Sequence, residues 1–257
     1  MRIAIPQAHT NVDYASKVAH SYAHAVELAG GVPVEIPLSL TNPEIMQVVV
    51  TCEGVLLPGS RADVHPEKYG QQRQPETHDP DPARDNVDEL LLQDAYNMRK
   101  PILAICFGMQ ILNVWRTGTL KQHLATGVLH TGNSSLRHQV RVEPSSRLAE
   151  VVGLTVSPVS ELTVNTSHHQ SVDQPGDGLR VVAWSKEDNV VEAVESTSRD
   201  HFVLGVQWHP ERLVDDSDPN VRDHSRALFH ALIEAARLRH QHPRTPTLDF
   251  ESLARFD

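Results

Sequence analysis

The stretch KPILAICFGMQILNVW, residues 100–115, decides the fold. Its first half, PILAI, is an apolar run of strand length, and GMQILNVW has the apolar spacing of a helix. Between them stand Cys106 and Gly108, which a buried strand does not need. A strand turning sharply into a helix, with Ala104 and Gly108 two residues either side of a cysteine, has the form of a nucleophile elbow, where crowding demands small neighbours. Such a turn sets the sulfur at a helix N-terminus, where unpaired N–H groups and the helix dipole favour a thiolate. Phe107 N–H, next in the chain, then becomes a natural oxyanion donor. The ordinary reading weighs against this, because free cysteines are among the most buried residues and most are structural. Cys52, in VVVTCEGV, has neither a glycine turn nor a following helix, and keeps that reading.

Upstream, RIAIP (2–6), VPVEIP and EGVLLPG read as strands. YASKVAHSYAHAVELAGG, stopped by Gly30-Gly31, and NPEIMQVVV, opened by Asn42-Pro43, read as the helices between them. This alternation predicts an α/β fold: a doubly wound, mostly parallel sheet flanked by helices. Residues 60–83 are polar, rich in Pro, Asp and His, and read as a long functional loop. RDNVDELLLQDAYNMRK is an amphipathic helix stopped by Lys100-Pro101. From about 138 the texture changes to short β-runs: HQVRVE, LTVNTS, LRVVAWS, NVVEAVES and FVLGVQWH. One or two are expected to extend the main sheet and the others to form a smaller antiparallel β layer. NVRDHSRALFHALIEAARLRHQ closes a predicted domain of residues 1–240. The tail, 241–257, follows its own Pro-containing break and is expected to be mobile or docked on a neighbour.

The 257 residues carry a formal charge of −10, which argues against a nucleic-acid or anionic-membrane binder. No apolar run approaches a membrane span, and MRIAIPQAHT is too short in its apolar part for a secretory signal. Two cysteines make no disulfide framework, so a reducing cytoplasm is the default. HExxH, Cys/His pair spacings, G-x-G-x-x-G and Walker signatures are all absent, so neither a metal nor a nucleotide cofactor is expected.

Three further motifs bear on Cys106. In GVQWHPER, His209 and Glu211 lie two apart, so on an extended segment they share a face. Pro210 biases His209 toward that conformation, and a carboxylate beside an imidazole can orient it as in a Cys–His–acid triad. In LLPGSRADVHPEKYG, a strand ending in Pro58 leaves the N–H groups of Gly59 and Ser60 free to face a cleft at the strand end. In VNTSHHQSV, adjacent His168 and His169 alternate faces and are not expected to share one metal.

In their order, GVLLPGSRADVHPEKYG, ARDNVDELLLQDA, KPILAICFGMQILNVWRTGTL, VNTSHHQSV and LGVQWHPE resemble the class I glutamine amidotransferase-like superfamily. Within it they are most similar to the γ-glutamyl-γ-aminobutyrate hydrolase group, the peptidase C26 type. The resemblance implies a flavodoxin-like fold and a Cys106–His209–Glu211 triad that cleaves a γ-glutamyl amide through a thioester. It further implies an oxyanion hole from Phe107 with Gly59 or Ser60, no cofactor, and a glutamyl pocket lined by Gln110, Ser167 and His168. Three positions depart from the pattern: Ser60 for a glycine, Phe107 where arginine is common, and Thr117 for a glycine. A glutaminase subunit feeding ammonia to a separate synthase, and a non-catalytic scaffold, are the alternative readings. A small-molecule γ-glutamyl substrate is the expected partner, and a homodimer is compatible with an acidic domain bearing a C-terminal extension.

Overall fold

The computed structural model describes residues 1–125, 130, 136–154 and 160–241; the expected tail lies outside them from 242 onward. Five strands form the parallel half of the main sheet: β1 (Arg2–Pro6), β2 (Val32–Ile36), β3 (Gly54–Leu57), β4 (Ile102–Ile105) and, far along the chain, β11 (Val203–Val206). Their register sets Gly205 beside Ala104 and Leu57 beside Ala104, so the strand ends that carry the motifs lie side by side.

Side chains on these strands are buried alternately on the two faces. Ile3, Leu56, Leu103 and Ile105 enter one apolar layer, while Ala4, Val55, Leu57, Ile102 and Ala104 enter the other. Two-sided burial is what near-continuous apolar strands require. Helices α1 (Val12–Leu28) and α6 (Pro219–Gln241) cover the first layer, and α2 (Asn42–Val49), α3 (Pro82–Met98) and α4 (Phe107–Trp115) the second.

Local chemistry starts these helices. The Asn11 side chain accepts from Tyr14 N at 2.9 Å, Thr41 and Glu44 form a capping box, and Asp81 caps Arg84 N at 3.2 Å with Pro82 behind it. The stop of α3 is one residue earlier than the sequence suggested: Arg99 takes the left-handed conformation at φ 51°. Lys100 is buried there, donating to Val49 O and pairing with Asp94.

The later β-runs all join the same sheet. Among the described residues its order is β2-β1-β3-β4-β11-β10-β9-β6-β7, with β6 (Arg137–Val142), β7 (Ser160–Asn165), β9 (Leu179–Ser185) and β10 (Val191–Ser196) continuing antiparallel from β11. A separate antiparallel pair, β5 (Leu120–Lys121) with β8 (Ser171–Val172), forms a small second layer. That pair, of two-residue strands, and the five-residue helix α5 (Arg147–Val151) are too short to leave a periodic pattern. The mixed, mostly parallel architecture flanked by helices is the expected one.

The loop 60–83 is tied down. It makes a 3-10 turn at Pro66–Tyr69, and Gln122 holds it by accepting from Gln74 N and Thr77 Oγ1 and donating to Gln71 Oε1 and Gln72 O. No helix among the described residues is long and apolar enough to cross a membrane.

Candidate active site

Cys106 leaves β4 and starts α4 with φ 53° and ψ −110°, a backbone conformation that side chains rarely adopt. The elbow is packed to its limit. A Cβ on Gly108 would stand 2.2 Å from Leu57 O and 2.8 Å from Leu57 C, both backbone atoms of β3 that cannot step aside. Gly108→Ala is therefore expected to cost at least about 1–3 kcal/mol, read as a lower urea midpoint with an unchanged m-value. A midpoint within error of wild type would show that the elbow has slack.

His209 follows the end of β11, and its backbone is clamped on both sides by Asn165. His209 N donates to Asn165 Oδ1 at 2.8 Å, and Asn165 Nδ2 donates to His209 O at 2.9 Å. The His209–Glu211 pair forms differently from expectation. The segment Pro210–Arg212 is not extended but makes a 3-10 turn, and across it His209 Nδ1 meets Glu211 Oε1 at 2.8 Å. Proline at the first turn position favours this geometry. The imidazole and Cys106 flank one point: a Cβ on Gly59 would stand 2.8 Å from His209 Cε1 and 3.5 Å from Cys106 Cβ.

The electrostatics follow from this proximity. Burial disfavours the His209 imidazolium, but Glu211 and the Cys106 sulfur outweigh it and raise the imidazole to about 9. For Cys106, burial pushes the thiol up, and His209, His168 and Arg212 pull it below its usual 9.0. Glu211 is held below the usual carboxylate range: burial opposes ionisation, and His209 with Arg212 overcomes it. Both shifts act in favour of a thiolate–imidazolium pair over the neutral pair. Burial raises the Cys52 thiol, and Thr51, Arg2 and Lys100 offset it only in part.

The cleft over Cys106 has a volume of about 910 Å³. It gathers eight of the expected residues: Ser60, Cys106, Phe107, Gln110, Ser167, His168, His209 and Glu211. Gln110 is buried on the wall, donating to Gln170 O and Gln207 Oε1, both at 3.2 Å. Gly59 is close to the centre, since a Cβ there would meet His209 Cε1 at 2.8 Å. Its N–H, however, donates to the Tyr22 hydroxyl at 3.0 Å, a contact from α1 that the sequence did not reveal. His168 and His169 do point apart as expected: His169 Nε2 faces Asp63 at 3.0 Å, and His168 faces Glu192.

Sequence reasoning also passed over Arg84. It is completely buried, donates through Nε to both oxygens of Asp88 at 2.9 Å, and spans two strand ends by bonding Ala8 O at 2.9 Å and Pro58 O at 2.8 Å. Its guanidinium lies 5.1 Å from the centre of the Phe107 ring. One side chain thus fixes the turn carrying Gly59 and Ser60 against the residue that follows Cys106.

The profile of the peptidase C26 family matches residues 3–211. The chain belongs to that family. "Putative glutamine amidotransferase Rv2859c" of Mycobacterium tuberculosis is 38% identical over 220 residues, covering 84% of this chain and 66% of that protein. The γ-glutamyl-γ-aminobutyrate hydrolase PuuD of Escherichia coli K12 is 35% identical over 198 residues, covering 74% and 76%. In shape, this C26 chain resembles the glutaminase domain of Trypanosoma brucei CTPS, with a TM-score of 0.63 at 17% identity, over 93% of this chain and 94% of that one. Membership in C26 links the chain to the class I glutamine amidotransferase-like hydrolases.

Proposed function

We propose that the protein hydrolyses γ-glutamyl amides, with Cys106 as nucleophile, His209 as proton carrier and Glu211 as the group that orients His209. The observation that carries this reading is the convergence on one cleft of a strained elbow cysteine and a carboxylate-backed imidazole. Nothing in the packing of an α/β domain calls for that combination.

The Cys106 sulfur attacks the γ-carbonyl carbon, forming a C–S bond and an oxyanion. Phe107 N–H and Ser60 N–H, neither of which donates to a protein acceptor among the described residues, receive that oxyanion. Gly59 N–H is taken by Tyr22, so of the Pro58-Gly59-Ser60 turn it is Ser60 that supplies the second donor. The imidazolium of His209 gives its proton to the leaving nitrogen, the C–N bond breaks, and the amine departs from a γ-glutamyl thioester. His209, now neutral, takes a proton from water as the water attacks the thioester. The C–S bond breaks, releasing glutamate and restoring the thiolate–imidazolium pair. Gln110, Ser167 and His168 line the side of the cleft where the glutamyl portion sits.

The test is glutamate release from a panel of γ-glutamyl amines, glutamine included. Turnover of γ-glutamyl amines supports the reading; hydrolysis of glutamine alone would replace it with a glutaminase subunit. A pH profile adds an independent check. His209 is protonated below about 9 and loses the proton it must deliver above that value, so kcat/KM should fall on the alkaline side near pH 9. A profile still rising at pH 10 would remove His209 as the acid. Iodoacetamide should alkylate Cys106 faster than Cys52 below pH 9, as read by peptide mass spectrometry. Equal rates at the two cysteines would count against an activated thiolate.

A further inference from the structure

Behind the cleft wall, four buried side chains from separate parts of the chain converge: His130, His138 on β6, His168, and Glu192 on β10. Glu192 is wholly inaccessible to solvent, and neither of its carboxylate oxygens has a hydrogen-bond partner. Neither nitrogen of His138 has one, nor does His168 Nε2. Leaving such groups buried and unmet is costly, a carboxylate most of all.

The geometry around Glu192 Oε1 is specific. His138 Nε2 stands at 3.4 Å, His168 Nε2 at 3.6 Å and His130 Nδ1 at 4.0 Å. A direct imidazolium–carboxylate hydrogen bond closes to about 2.7–2.9 Å. These separations are instead near the about 3.3 Å between donors around a tetrahedral zinc ion with bonds of about 2.0–2.1 Å. The donor atoms of His130, His168 and Glu192 all lie within 4.8 Å of one another.

The outer contacts set the tautomers to match. His130 Nε2 lies 2.9 Å from Asp188 Oδ2, an acceptor, so Nε2 carries the hydrogen and the Nδ1 lone pair faces inward. Thr166 Oγ1 stands 3.3 Å from that Nδ1 and also donates to His130 O at 3.1 Å. His168 Nδ1 donates to Gln170 O at 3.0 Å, which turns the Nε2 lone pair toward Glu192. Carboxylate and carbonyl partners behind the ligating imidazoles are how zinc-binding histidines are held.

We infer that His130, His168 and Glu192, with His138 beside Glu192, form a buried site for a divalent transition metal, zinc suiting the nitrogen and oxygen donors best. Its role is structural. It joins β10 to the loop that presents Ser167 and His168 to the cleft, with His138 of β6 beside it, and takes no part in the bond-making steps at Cys106. The sequence hid it because its members are scattered from 130 to 192 with no ligand-pair spacing.

The test uses the full chain carrying Cys106→Ala, so that the thiolate cannot compete for metal. After removal of metal by a chelator, zinc is titrated against a chromophoric competitor, and cobalt is used to report geometry. One equivalent of zinc is expected, with tetrahedral cobalt absorption lacking sulfur charge transfer, and a thermal midpoint that rises with zinc. Glu192→Gln should abolish the site, with His130→Asn serving if that variant fails to fold. Asp188→Asn should weaken it about 10–100-fold. Asp63→Asn, in the second cluster with His78 and His169, should leave it unchanged. No stoichiometric zinc, binding that survives Glu192→Gln and His130→Asn, or binding lost in Asp63→Asn, would each overturn the assignment. The readout is metal, so it stands or falls separately from γ-glutamyl turnover.

Discussion

Cys106→Ala is expected to lower γ-glutamyl amide turnover by about ten-thousandfold or more, with the fold retained. The size follows from the proposed steps: without sulfur there is no thioester, and water would have to attack a stable amide directly. The donors at Ser60 and Phe107 would still bind the substrate carbonyl, which is why some rate above background is expected to remain. Cys106→Ser should fall nearly as far, because a hydroxyl does not ionise beside His209 as a thiol does. His209→Asn should approach the same loss, whereas Glu211→Gln should lose less, since it removes the orienting charge and leaves the proton carrier. The measurement is single-turnover and steady-state glutamate release, alongside circular dichroism to confirm folding. Cys106→Ala turning over within tenfold of wild type would remove the thioester route.

The second large effect lies away from the reacting atoms. Arg84→Met is expected to destabilise the protein by about 3–5 kcal/mol, because it strands the Asp88 carboxylate in a fully buried position. In a chain of this size that amounts to a fall in melting temperature of roughly 2–4 °C per kcal/mol. Asp88 itself is pushed up to about 6, burial outweighing the attraction of Arg84. A raised carboxyl favours folding fully below its unfolded value of 3.8, and that contribution is lost as the pH rises through about 6. The pair is therefore kept for placement more than for stability. Arg84→Met with Asp88→Leu tests this directly. The double variant should regain much of the stability but not the turnover, since Ala8 O and Pro58 O would still lack their donor. Full recovery of turnover would show that the Pro58 turn holds its shape unaided.

The features legible in the sequence were those written in consecutive residues. The elbow is one stretch of strand, cysteine, glycine and helix, and the crowding that demands Gly108 comes from the neighbouring β3. His209 and Glu211 were visible as partners because two residues separate them, although the turn that joins them was read as an extended run. Arg84 and Asp88 belong to a stretch legible only as an amphipathic helix, because nothing local says that a charged i,i+4 pair is buried. The acceptors that give it meaning lie 76 and 26 residues away. Tyr22 was one apolar position among several on α1, and its hydroxyl finds Gly59 only after 37 residues of chain have folded back. The late β-runs were recognisable individually, but their order β10-β9-β6-β7 depends on pairings across long loops.

The backbone at Cys106 has one more consequence, for how this chain could drift or be engineered. At φ 53° and ψ −110° a glycine would sit at ease where any side chain is strained. Selection for sturdiness alone would therefore favour discarding the sulfur, and a screen that scores only folded yield would reward its loss. Persistence of a cysteine at this residue needs a reason other than robustness, and heat tolerance and chemistry compete there for a single side chain.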